Sequence, residues 1–186
     1  MAQAQPPFNP PERPLDLDEQ IVDFELPAVD GRPYRIHEQM KEVLVINFWS
    51  AECPISQQYD PYFNGFTKSY GPKGVAFLAI DSNVYEDAQD ILRAIAERKI
   101  VFPILRDAGN IIADYFNAQT TPHLFVFDRL GRLRYRGAVD DITFKNKVAT
   151  VNYLEQTVDA LLLGRAVPLR ETPPYGCTIE RAFEET

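Results

Sequence analysis

Cysteine, histidine and tryptophan are scarce in this sequence, whose 186 residues hold two, two and one of them. Two cysteines cannot build a disulfide framework, and neither they nor the histidines fall at a zinc-ligand spacing. Long apolar runs are missing as well, which excludes a membrane-spanning helix of about 20 residues. Positive charge is the minority sign, with 19 Lys and Arg against 27 Asp and Glu and a net charge of -8. A surface that binds nucleic acid or anionic lipid by neutralising phosphates is therefore not expected. No glycine-rich phosphate loop or dinucleotide fingerprint occurs, and no cofactor is expected. Residues 1–7 (MAQAQPP) have neither the basic stretch nor the apolar stretch of a secretory signal. The expected compartment is the cytoplasm, or an exported one if a leader has been removed.

What is present suits a single domain. At this length about 70% of the unfolded chain's surface becomes buried on folding, so no covalent staple is required. Of the 15 prolines, five lie in residues 6–14 and three in residues 168–174, which marks both ends as extended segments. The sequence divides into a Pro-rich N-terminal arm (1–21), a domain (22–164) and a C-terminal tail (165–186) that Tyr175, Ile179 and Phe183 pin to the body.

Between the arms, apolar runs of strand length alternate with helical patterns. Val43 to Phe48, Val75 to Ile80 and Leu124 to Phe127 are continuous apolar runs, the pattern of strands buried on both faces. Ser56 to Tyr70 is aromatic-rich and stops at Gly71-Pro72. Asn83 to Lys99 places Ala88, Ile91, Leu92, Ile95 and Ala96 on one face, with Asn83 and Glu86 spaced as a capping box. Glu86, Asp87 and Asp90 read as a charged helix face. A short helix is expected around Ile111 to Phe116, a strand turn at Leu130-Gly131, and a last helix over residues 151–162 closed by Gly164. Asp140-Asp141 reads as an N-cap for that helix. The order is βαβα followed by a hairpin and a helix, which predicts an α/β fold with a mixed central sheet and helices on both faces.

Chemistry concentrates at Cys53. It follows a buried strand and a short turn and precedes Pro54, a residue favoured at the first position of a helix. A sulfur at a helix N-terminus meets free backbone N–H groups and the positive end of the macrodipole. Both stabilise a thiolate, and cysteines so placed have pKa values of about 3.5 to 7.5 instead of about 8.5. The neighbouring Glu52 opposes this if its carboxylate comes close.

The segment Phe48-Trp49-Ser50-Ala51-Glu52-Cys53-Pro54-Ile55-Ser56 resembles the active-site segment of the thioredoxin-like superfamily, where a Trp leads into Cys-Pro-x-Cys. Thr121-Pro122, just before the apolar run Leu124 to Phe127, resembles the cis-proline loop of that superfamily. The likeness spans residues 22–164 and is closest to the redoxin branch, the alkyl hydroperoxide reductase and thiol-specific antioxidant family. It implies a thioredoxin-like fold and a redox-active cysteine. Ser56 stands where the second cysteine of Cys-x-x-Cys would be, and its hydroxyl is expected to donate to the Cys53 thiolate. The branch's peroxidases carry Pro-x-x-x-Thr/Ser-x-x-Cys and an arginine. Ser50 matches the hydroxyl, Ile46 does not match the proline, and Arg136 is the one candidate for the arginine.

The second cysteine, Cys177, lies in Thr172-Pro-Pro-Tyr-Gly-Cys-Thr-Ile179, a stiff but turning segment able to bring its thiol back to the body. It reads as a resolving thiol that condenses with oxidised Cys53, as a structural disulfide partner, or as a free tail thiol. The sequence thus predicts a thiol-dependent oxidoreductase, peroxiredoxin-like, with Cys53, Cys177, Ser56, Thr121 and Pro122 catalytic. Trp49, Ser50, His123 and Arg136 are expected to line the substrate site, and no resident metal is expected. The partners expected are a peroxide or disulfide substrate and an external thiol reductant. Two other classes stay open: a non-catalytic binding module with the same fold, and a copper carrier using Cys53 and His123.

Overall fold

A computed structural model describes residues 8–183. The chain opens with two short antiparallel strands, β1 (Glu25–Pro27) and β2 (Pro33–Arg35). It continues through β3 (Val43–Trp49), α1 (Pro54–Tyr70), β4 (Val75–Asp81), α2 (Ala88–Arg98) and β5 (Ile104–Arg106). Then come α3 (Ile111–Phe116), β6 (Thr120–Thr121), β7 (His123–Asp128), β8 (Leu133–Gly137), α4 (Tyr153–Leu162) and β9 (Cys177–Thr178).

The central sheet has the order β5-β4-β3-β7-β8. Strands β3, β4 and β5 run parallel, while β7 is antiparallel to β3 and β8 to β7. This is the mixed sheet the residue pattern predicts. Side chains alternate across it: Val43, Val45 and Trp49 pack toward α1, α2 and α4, whereas Leu44, Ile46 and Phe48 pack toward α3 and the N-terminal segment. Both faces are covered, which is why β3 is buried at every position.

Several local expectations change. Helix α2 begins at Ala88, and its capping box is Asp87 with Asp90, not Asn83 with Glu86. The side chains of Asn83 and Glu86 are buried and bonded to other elements, so the chain enters the helix one turn later than the spacing suggests. Helix α4 is capped by Asn152, whereas Asp140 accepts from Tyr59 Oη and Asp141 accepts from the backbone of Thr150 and Val151. The N-terminal arm is packed over much of its length: Leu15 and Ile21 lie in the core, and Phe8 stacks near Phe24 and Tyr115. Residues 1–7 of that arm lie outside the described residues. In the tail, Ile179 is buried and Tyr175 meets Phe144 edge-on, but Phe183 is exposed and pins nothing.

Candidate active site around Cys53 and Cys177

Cys53 is the N-cap of α1 and Pro54 occupies its first turn. The sulfur takes the place of the usual capping oxygen and accepts from the Ser56 backbone N–H at 3.3 Å. In a reduced chain such a bond and the helix dipole would favour the thiolate over the thiol. Cys53 is joined to Cys177 in a disulfide, with Cα atoms 6.1 Å apart and a separation of 124 positions in sequence. In this disulfide-bonded form Cys53 is buried, only 4% exposed.

The tail arrives by strand pairing. β9 lies antiparallel to β6, with Cys177 opposite Thr121 and Thr178 opposite Thr120. The Thr121-Pro122 peptide is cis, and the Thr121 carbonyl oxygen stands 3.4 Å from Cys53 Sγ. In the disulfide this is a contact; a reduced thiol would donate to that oxygen. Gly176 is obligatory here, since a Cβ on it would lie 2.1 Å from the Thr121 carbonyl oxygen.

A buried polar scaffold holds the Cys53 turn. Ser50 Oγ accepts from the backbone N–H of Cys53 at 3.0 Å and of Glu52 at 3.2 Å, and donates to Glu86 at 2.5 Å. The other Glu86 oxygen accepts from the Ala51 N–H. Ser56 Oγ accepts from the Ser50 N–H, so the serine meets the sulfur through its backbone and not through its hydroxyl. Behind Glu86, burial and the facing Glu86 carboxylate raise the Asp81 pKa to about 8, so this pair retains a proton at neutral pH. Trp49 is fully buried, with Nε1 donating to Asp60, and Arg98 links Asp60 to the Ala51 carbonyl.

The expected site residues therefore separate into two groups. Cys53, Cys177, Ser56, Thr121 and Pro122 come together. Trp49 and Ser50 lie beneath the turn with no open surface toward a substrate. Arg136 is directed away from the sulfurs: it bonds Glu171, the Leu15 carbonyl and Asp16, tying tail to N-terminal segment. His123 is buried, stacks on Phe125 and accepts from the Gln119 N–H through Nδ1 at 3.1 Å. Burial, helped by Arg136, lowers its pKa to about 4, so the ring is neutral and braces the cis-proline loop. Among the described residues no three His, Cys, Asp or Glu side chains cluster as metal ligands. Glu86, Asp81 and Asn83 were not expected at the site. Their run, Asp81-Ser-Asn-Val-Tyr-Glu86, shows no periodicity, and only an acid ending an apolar strand hints at it.

Several known proteins resemble the chain. Thiol-disulfide oxidoreductase ResA of Geobacillus thermodenitrificans is 26% identical over 112 residues, covering 60% of this chain and 63%, less than two thirds, of that protein. A crystal structure of a hypothetical protein of Sinorhizobium meliloti 1021 superposes with a TM-score of 0.84 at 29% identity, covering 91% of this chain and 97% of the other. An uncharacterized conserved protein of Geobacillus kaustophilus gives 0.84 at 30% identity, covering 92% and 94%. The AhpC/TSA family pattern matches residues 17–136, nearly the whole run from the N-terminal segment through β8, and the chain belongs to that family.

Proposed function

We propose that the protein is a thiol-disulfide oxidoreductase in which Cys53 is the nucleophile and Cys177 the resolving thiol. The observation that carries this is the disulfide between a helix-capping cysteine and a tail cysteine seated on the cis-proline loop. The name of the ResA relative points the same way.

The cycle follows from the geometry. With both cysteines reduced, the Cys53 thiolate, stabilised by the Ser56 N–H and the start of α1, attacks one sulfur of a substrate disulfide. The second substrate sulfur leaves as a thiolate and takes up a proton. Cys177, giving up its proton, then attacks Cys53 Sγ and expels the first substrate sulfur. Two protein thiols become one disulfide, and one substrate disulfide becomes two thiols. An external dithiol returns the protein to its reduced form by the reverse exchange. We place this cycle in the cytoplasm, where thiol reductants are kept reduced. Thr121 and Pro122 wall the sulfur, while Ser50 and Trp49 act beneath it as positioning residues.

Disulfides fit better than peroxides as substrates. Ser50 Oγ is bonded to Glu86 and to two backbone N–H groups, and Arg136 is engaged elsewhere, so neither polarises a peroxide beside Cys53. The test is to mix the reduced chain with an aromatic disulfide and follow release of the coloured thiol. The parent should release two thiols per chain, Cys177→Ser should stop at a trapped mixed disulfide, and Cys53→Ser should release none rapidly. A parent rate no higher than that of free cysteine overturns the reading and leaves a binding module. Rapid consumption of hydrogen peroxide would move the assignment to a peroxidase.

A further inference from the structure

Two buried asparagines hold the tail independently of the disulfide. Asn83, in the loop after β4, accepts from the Glu180 N–H through Oδ1 at 3.1 Å, and the Val84 N–H donates to the Glu180 carbonyl at 3.2 Å. Asn110, at the start of α3, accepts from the Ala182 N–H through Oδ1 at 3.0 Å, and its Nδ2 donates to the Ser82 carbonyl and Oγ. Both residues stand where a helix-capping asparagine is expected, yet neither caps: α2 is capped by Asp87, and the Asn110 side chain makes no cap bond to α3. Their side-chain carbonyls accept from the tail instead. On the opposite side the Ile179 N–H donates to the Gln119 carbonyl at 3.0 Å and the Ile179 side chain is buried in the core. The loop that carries Asn83 also carries Glu86, which holds the Cys53 turn. One short segment, residues 81–86, thereby grips the chain on both sides of the sulfur pair.

We infer that Asn83 and Asn110 are positioning residues that keep the Cys177 segment seated on β6 after the disulfide opens, so that Cys177 waits beside Cys53 as a thiol. The inference rests on the reading of Cys177 as the resolving thiol. A tethered thiol attacks at an effective concentration set by how tightly its segment is docked. Both clamps lie outside the sulfurs, and neither uses a sulfur as donor or acceptor.

Two measurements on the full chain test this. Hydrogen exchange on the dithiol form should show the amides of Ile179, Glu180 and Ala182 still protected; exchange at the rate of an unstructured peptide overturns the inference without any variant. The second is the glutathione equilibrium, in which protein disulfide and two glutathione thiols give protein dithiol and oxidised glutathione. Asn110→Gly keeps the left-handed backbone of that position (φ 59°) while removing the amide. It should lower the effective concentration of Cys177 about tenfold, the worth of a buried hydrogen bond or a little more. The pH profile of Cys53 alkylation should not move. Asn83→Ser should act in the same direction, and an equilibrium unchanged in both variants overturns the inference. Should the amides stay protected while the chain fails to exchange with disulfides, the clamp stands and the redox reading falls.

Discussion

Asp81 and Glu86 place two carboxylates in a buried space beneath the cysteine turn, and only one proton's worth of relief is at hand. Glu86 is committed as an acceptor for Ser50 and Ala51, and Asp81 accepts from the Asn83 backbone, which leaves Asp81 Oδ2 without a donor among the described residues. The proton settles on the pair, which is why the Asp81 pKa rises to about 8, first through burial and then through Glu86. The sign for stability follows. The unfolded chain releases this proton near pH 4, the folded chain near pH 8, so the folded state holds one proton more across that window. Stability is full below the lower value and declines as pH rises through the upper one. Asp81→Asn should remove this decline, flattening the fall in Tm between about pH 5 and pH 8 by the equivalent of a few kcal/mol. Thermal melts of parent and variant across pH check it, and parallel slopes would contradict the assignment.

At the scale of elements, the strand β9 is two residues long and can approach β6 only because the residue before it has no side chain. Gly176 passes so close to the cis-proline loop that a Cβ would overlap the Thr121 carbonyl group. A β-strand of two residues has little pairing of its own to set against that overlap. Gly176→Ala should therefore displace β9 from β6 and leave both thiols titratable in air-oxidised protein, whereas the parent shows none. The fold should survive, because the central sheet and its two clusters do not include Gly176. Titration of free thiols under denaturing conditions, beside a circular dichroism spectrum, reads both parts. Helix α1 has the complementary arrangement: its cap is the disulfide-bonded sulfur itself, so the residue that starts the helix is also the one the tail is joined to.

For the whole molecule, the disulfide closes a loop of 124 residues, from the start of α1 to the tail. In the chain-entropy account a cross-link of that span restricts the unfolded chain enough to stabilise the fold by about 5 kcal/mol. Reduction should thus lower Tm by roughly 10 to 20 °C, and Cys177→Ser should reproduce the reduced value without added reductant. Melts with and without dithiothreitol measure this. A change of only a degree or two would mean that the unfolded chain is already constrained. Arg136 contributes at the same scale, since its bonds to Leu15, Asp16 and Glu171 join the N-terminal segment and the tail across β8.

Much of the frame was legible along the chain. Buried strands announce themselves as unbroken apolar runs of strand length, and β3, β4 and β7 lie within a residue or two of where those runs sit, because strands covered on both faces have no polar side to alternate with. Cys53 was legible for the same local reason: strand, turn, Cys and Pro are consecutive, and a helix start is a short-range event. Glu86, Asn83 and Asn110 were not. Asn83 and Glu86 were read as a cap and a charged face by their spacing, Asn110 carried no reading at all, and each has its partner 35 to 97 residues away. Ser50, Trp49 and Arg136 were placed at the substrate by likeness to a motif, but burial and long-range bonding turned them inward or away. Local order along the chain determined where the strands run and that Cys53 starts a helix, because caps, turns and strand runs depend on neighbours a few residues apart. Which groups meet, and that Cys177 reaches Cys53 through a clamp made by two other loops, depended on the packing of distant segments, whose hydrogen bonds have no counterpart in spacing.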